Sequence, residues 1–195
     1  MPLVSLAEYE RLAEQAHGHL CAGQVLGLRM ALHGLGLLGL DDPRGAGRKR
    51  LVTFVEIDRC VTDAIAVVTG CRLGKRTLRF RDFGKVAATF CDLETGRAVR
   101  LAVRESARDR AREMYPELAA AGQQLRAYRE LPDDELFTAT AVRLAVAAED
   151  LPGYKAPRVA CALCGEGIAF RREVIREGRP LCRACAGERY YEPLA

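Results

Sequence analysis

Two groups of residues have types and spacings that fit metal chemistry. The first is His17-Gly18-His19-Leu20-Cys21-Ala22-Gly23, which holds two of the chain's three histidines two residues ahead of a cysteine. Imidazole nitrogen and thiolate sulfur are good ligands for zinc and for similar borderline or soft metals. The second is Cys161-Ala162-Leu163-Cys164 with Cys182-Arg183-Ala184-Cys185, two C-x2-C pairs separated by seventeen residues. That spacing fits a four-cysteine zinc site. Four thiolates close a tetrahedral coordination sphere, leave no position for water and make the metal structural. An iron–sulfur or rubredoxin-like iron centre is the rival for this pattern.

Elements must hold these groups in place. Residues 6–16 read as an amphipathic helix and residues 22–38 as a second, more apolar one. Gly18 suits the left-handed position that ends the first helix. Cys21 then falls at the N-terminus of the second, where free N–H groups and the helix dipole favour a thiolate. A thiolate beside imidazoles is either a metal site or a reactive cysteine. His33, inside the apolar helix, reads as structural. That helix contains Arg29, His33 and four glycines, which suits a buried core or dimer helix better than a membrane span.

The polar turn from Asp41 to Arg50 is a surface loop, and its Arg48-Lys49-Arg50 triplet a solvated flank. Residues 51–57 read as a strand. Asp58-Arg59-Cys60 follows, and then a helix over 62–69 with Thr62 as its N-cap. Cys60 thus occupies the same kind of setting as Cys21. Residues 70–75 form a glycine-flanked turn around Cys71. Residues 77–83, 85–91 and 97–103 read as strands, with a hairpin connection at 92–96. Charged helices cover 104–115 and 117–130, split by Pro116. Residues 133–146 open on Asp133-Asp134-Glu135 and continue as strand or helix, between which periodicity does not decide. The expected fold class is α+β, with helices packed on an antiparallel meander.

The domains read as 1–149, a linker at 150–158 and a small unit at 159–195. The last is too short to bury a sufficient core unaided and would fold around its metal. It reads as a zinc ribbon or treble-clef-like finger, with a hairpin over 168–181 and a closing helix over 183–191. Arg171, Arg172, Arg176, Arg179, Arg183 and Arg189, beside Tyr190-Tyr191, suit protein contact or nucleic acid, and the former is the favoured reading. A net charge of +4 is weak evidence for nucleic acid. The N-terminus does not read as a signal peptide. The eight cysteines are therefore expected to live in a reducing cytoplasm as ligands, thiols or core residues.

Taken in order, several motifs resemble the FmdE family, which takes its name from formylmethanofuran dehydrogenase. They are His17-Gly18-His19-Leu20-Cys21-Ala22-Gly23 with Leu26-Gly27-Leu28-Arg29-Met30; Glu56-Ile57-Asp58-Arg59-Cys60 with Asp63-Ala64-Ile65; Thr69-Gly70-Cys71 with Gly74-Lys75; and Asp82-Phe83-Gly84-Lys85. The resemblance spans about residues 8–145. The tail resembles a DksA/TraR-type four-cysteine finger. Ala22 stands where the family usually has proline, and Ala66-Val67 where it often has glutamine.

The resemblance implies an α+β domain, an intertwined homodimer and a bound metal. It also implies association with a molybdenum or tungsten formyl- or formate-oxidising system. For the first domain it points to a second divalent metal, such as Zn²⁺, held by His19, Cys21 and Cys60. His17 is then a fourth ligand or a partner of one. Cys71 is a further candidate, and Cys91 is expected to pack. Lys75 and Lys85 are candidates to hold an anionic group. Asp63 either orients a ligand histidine or is a first-turn acid. The leading expectation is a metal-binding accessory protein. A metal-dependent enzyme with three ligands and a water, and a nucleic-acid or transcription-machinery binder, are the alternatives.

Overall fold

The computed structural model describes residues 5–194. The chain divides into two compact units, with the division between Ala145 and Val146.

The first unit begins with α1 (Leu6–His17) and α2 (Ala22–Leu38). Ser5 caps α1 by accepting from the Glu8 amide, and Gly18, at φ 93°, ends it in the left-handed region. Two glycines of α2 are required by close approach. A Cβ on Gly27 would lie 2.3 Å from the Val61 carbonyl oxygen of the neighbouring helix, and one on Gly34 would lie 2.5 Å from the Phe90 ring. These glycines let a helix and a strand press directly on the α2 backbone. Arg29 reaches the C-terminal end of a distant helix, donating to the Tyr128 and Leu131 carbonyls and pairing with Asp133 at 2.5 Å. No helix among the described residues is long and apolar enough to cross a membrane.

Next come β1 (Leu51–Val55), α3 (Cys60–Thr69), β2 (Leu78–Phe80), β3 (Ala87–Asp92) and β4 (Ala98–Val103). The unit closes with α4 (Ser106–Met114), α5 (Ala120–Glu130), α6 (Asp133–Leu136) and β5 (Phe137–Val142). The sheet order is β2-β1-β3-β4-β5. The β1, β3, β4 and β5 strands form the antiparallel meander, whereas β2 pairs parallel to β1. The difference from a simple meander has a cause: α3 carries the chain back between β1 and β2, and such a crossover delivers a parallel strand. The undecided 133–146 segment is one helical turn followed by an edge strand. Residues 46–49, expected as loop, form a short 3₁₀ turn.

A core of α2, α3 and the inner sheet face includes Leu28, Met30, Ile65, Phe90 and Leu101, each fully buried. At the end of the central strand β3, buried Asp92 holds the β3–β4 hairpin. It accepts from Arg50 at 2.6 Å, from the Glu94 amide at 3.0 Å and from Thr95 Oγ1 at 2.9 Å. The Arg50 guanidinium holds its carboxyl well below the usual range.

The second unit contains two hairpins, β6 (Val159–Ala160) with β7 (Gly167–Ile168) and β8 (Val174–Arg176) with β9 (Arg179–Leu181). Its buried apolar cluster is Cys161, Ile168, Leu181 and Ala186. The helix expected over 183–191 does not form: after Cys182 the chain makes turns to Gly187 and then runs without regular structure. The ribbon description therefore fits the unit better than a treble clef. Asp150, expected to open the linker, is buried and paired with Arg172 inside this unit.

Candidate metal centres

In the second unit the sulfurs of Cys161, Cys164, Cys182 and Cys185 all lie within 4.8 Å of one another. The β6–β7 connection presents Cys161 and Cys164, and the turn that follows β9 presents Cys182 and Cys185. The Cys182 amide donates to Cys161 Sγ at 3.3 Å and the Cys185 amide to Cys182 Sγ at 3.4 Å. Gly165, at φ 77°, gives the sharp turn after the first knuckle, and its amide closes on the Cys161 carbonyl at 3.0 Å. Amides of Cys164, Cys182 and Leu163 favour the Cys161 thiolate and draw its pKa to about 6. Cys185, with the Cys182 sulfur alongside, is pushed up to about 12. Four sulfurs this close cannot all ionise without a cation among them, and a tetrahedral Zn²⁺ satisfies the donor set.

In the first unit, the α1–α2 elbow gathers His17, His19 and Cys21, whose ligand atoms lie within 4.8 Å of one another. His17 is the last residue of α1 and Cys21 the N-cap of α2. The left-handed Gly18 folds the chain between them, and the two imidazole rings stand 5.0 Å apart. Buried Gln24 sets the elbow. Its Oε1 accepts from the Cys21 amide at 3.2 Å, and its Nε2 donates to the Ala13 carbonyl of α1 at 3.1 Å. Spacing alone gave no hint of it, although Gln at the third helical position is a familiar signature of a helix start.

Cys60 is the first residue of α3, one position past the N-cap Arg59. Thr62, expected as the cap, instead donates from Oγ1 to the Ile57 carbonyl at 2.5 Å. The close contact at Gly27 sets the N-terminus of α3 beside that of α2. A Cβ on Gly23 would meet Cys60 Cβ at 3.4 Å and Cys21 Sγ at 3.8 Å, so glycine keeps the space between the two cysteines open. Burial and the neighbouring Cys21 thiol push the Cys60 thiol up. The three-residue group of close ligand atoms does not include Cys60.

Asp63 Oδ2 lies 3.0 Å from His17 Nδ1. A proton held on Nδ1 leaves Nε2 with the free lone pair that a metal needs. Asp63 also lies in the first turn of α3, so its position accommodates both expected placements. Cys71 is buried in the core, with Sγ 3.5 Å from Thr53 Oγ1. Cys91 is buried in β3, and burial raises its thiol pKa. His33 lies 3.2 Å from Asp133 and stacks on Phe137.

A cleft of about 850 Å³ opens beside this elbow, with Cys21 and Cys60 on its wall. Lys85 lines it as well, whereas Lys75 and Cys71 do not.

Residues 16–149 match the family model described as FmdE, molybdenum formylmethanofuran dehydrogenase operon. The chain belongs to the FmdE family. Residues 154–191 match the prokaryotic DksA/TraR C4-type zinc finger, and with the four-sulfur cluster this supports zinc at the C-terminus. A curated relative from Archaeoglobus fulgidus, named a probable S-adenosyl-L-methionine-binding protein, is 35% identical over 92 residues. That stretch is 47% of this chain and 25% of the relative, so the match spans only about a quarter of that protein. The crystal structure of a tungsten formylmethanofuran dehydrogenase FmdE-like protein from Syntrophus aciditrophicus has the same fold. Its TM-score is 0.66 at 22% identity, over 96% of this chain and 95% of that one.

Proposed function

We propose that this FmdE protein is a metal-binding accessory protein with two metal centres of different kinds. The finger holds a closed, structural zinc through Cys161, Cys164, Cys182 and Cys185. The elbow binds a second divalent metal, zinc among the candidates, through His17, His19 and Cys21, with Cys60 adjacent. The observation that carries this reading is the convergence of three ligand atoms within 4.8 Å on two helix termini, with Asp63 placed to orient His17. The protein's place is in the assembly, metal handling or regulation of a molybdenum or tungsten formyl- or formate-oxidising system. Its setting is the cytoplasm and its working form a homodimer. The association with such a system rests on the family's name and on that of the structural relative. A small His/Cys centre at the elbow, beside a finger whose zinc is structural, suits holding or delivering a metal, which favours an accessory role over the oxidation itself.

Elemental analysis of the purified full-length chain tests the metal reading. The expectation is about two metals per chain, falling to about one in His19→Ala/Cys21→Ala. One metal per chain that stays at one in that variant, together with no uptake of added zinc, iron or nickel, overturns the elbow site. Light scattering that gives the mass of a single chain overturns the dimer.

A further inference from the structure

The cleft beside Cys21 and Cys60 has a charge that the metal reading does not use. Its walls carry Arg59, Lys85, Arg100, Arg104 and Arg108 against the single carboxylate of Glu105. Arg100 is already committed, gripping buried Glu56 through two bonds of 2.7 Å each. Arg108 stands 4.0 Å from Glu105, a loose pair. Arg104 spends only its Nε, on the Phe137 carbonyl at 3.1 Å. Among the described residues no ion pair is found for Arg59, Lys85 or Arg104. These cations come from three segments: the start of α3, the loop before β3 and the entry to α4. They nevertheless face one space.

Part of the lining is apolar. Leu26 of α2, Ile57, Val61 of α3 and Val103 of β4 contribute to it. A volume of about 850 Å³ is in the range of pockets that enclose a cofactor-sized molecule. Like charges gathered in a concave, partly apolar site raise the local potential and draw in an anion, and guanidinium groups grip carboxylates and phosphates through paired N–H donors.

We infer that this cleft is a binding site for a small organic anion, with an apolar body against Leu26, Val61 and Val103 and a carboxylate or phosphate head held by Arg59, Lys85, Arg104 and Arg108. The site stands on the cleft's own residues and does not need a metal at the elbow. A ligand seated there would nonetheless lie against Cys21 and Cys60.

The test uses the full-length chain and 8-anilinonaphthalene-1-sulfonate, a fluorescent anion with an apolar body, titrated at low salt. Two variants remove the cations, Arg59→Glu/Lys85→Glu and Arg104→Glu/Arg108→Glu. A third, Arg72→Glu/Lys75→Glu, makes the same change of charge in a turn that does not line the cleft. The expected result is an affinity loss of fivefold or more in the first two and less than twofold in the third. Displacement of the probe by inorganic pyrophosphate assigns a phosphate head, and displacement by citrate a carboxylate head. A smaller loss in either cleft variant, an equal loss in the turn variant, or no displacement by either anion overturns the proposal. Should Arg104→Glu/Arg108→Glu lose its helical circular dichroism, Arg59→Glu/Lys85→Glu decides alone. Metal content measured on the same samples separates the two readings. His17→Ala/His19→Ala should shed the elbow metal and keep probe affinity, whereas the cleft variants should keep the metal and lose the probe.

Discussion

The finger and the elbow both collect cysteines, but they do so by opposite routes. In the finger, two tight knuckles, one in the β6–β7 connection and one in the turn after β9, supply all four sulfurs, and the buried apolar cluster is Cys161, Ile168, Leu181 and Ala186. Three of those four residues belong to the knuckles or their immediate flank, so the unit has little to fold around except its metal. At the elbow, three groups hang on the ends of α1 and α2, and Cys60 arrives from α3, over a core in which Leu28, Met30, Phe90 and Leu101 are fully buried. Here the scaffold makes the site. Where the fold exists without the metal, ligands can be left incomplete and accessible, as exposed His19 is.

The largest effect expected from that contrast is at the finger. Cys182→Ser should release the zinc and unfold residues 159–195, since a structural zinc of this kind contributes on the order of 10 kcal/mol. The first unit should keep its melting transition. Limited proteolysis with metal analysis checks both halves, and a variant finger that stays protease-resistant without metal breaks the comparison.

A smaller effect is expected from Asp92→Asn, which leaves Arg50 without its buried charged partner. Arg50 is part-exposed and keeps Glu94 at 2.7 Å, so the loss is of charge-assisted hydrogen bonds, about 2–3 kcal/mol from the first unit in chemical denaturation. Because the folded carboxyl is held below its usual value, its contribution is complete above the unfolded pKa of about 4 and fades as acid approaches the folded one. The variant should therefore lose less stability than the wild type between about pH 4 and pH 2. Parallel acid limbs for the two proteins would refute this.

Gly27→Val comes next. A Cβ there meets the Val61 carbonyl at 2.3 Å, so α3 must shift, at about 2 kcal/mol. The same shift moves Cys60 away from Cys21. Finger zinc should be untouched, and a crystal structure showing α3 unmoved would sink the idea. The smallest effect is Asp63→Asn, which keeps the shape and removes the charge behind His17. About a tenfold loss of affinity at the elbow is expected by competition with a metal dye, with none at the finger. Equal losses at both sites would mean that Asp63 has no special tie to His17.

Legibility in the sequence followed the same divide. The finger's ligands were readable because C-x2-C is a local pattern that a single turn satisfies. The α1–α2 break was readable too, from Gly18 and from the change in apolar content. The direction of β2 was not, because a run such as Leu78-Arg79-Phe80 shows that a strand forms and says nothing of which neighbour it joins. Thr62 misled for a related reason. It has the chemistry of a cap, but the helix starts earlier and its hydroxyl turns back to Ile57. Arg59, Arg104 and Arg108 carried no signal as a group, since only the packing of α3 and α4 around the cleft brings them to one space. Asp63 lies 46 positions from the histidine it touches, so no local pattern pairs them, and the expectation that it orients a histidine comes through the family resemblance.

Gln24 carries a consequence of its own. Its amide is a strut of fixed length between two backbones, one end on the amide of Cys21 and the other on the carbonyl of Ala13. It is sealed from solvent, so whatever enters the cleft cannot compete for either end. The gap between the histidines and the cysteine is thus gauged from behind, like a jig that holds its jaws at one setting. A glutamate in that position would keep the length and oppose oxygen to oxygen at Ala13, springing the jaws without altering a single ligand.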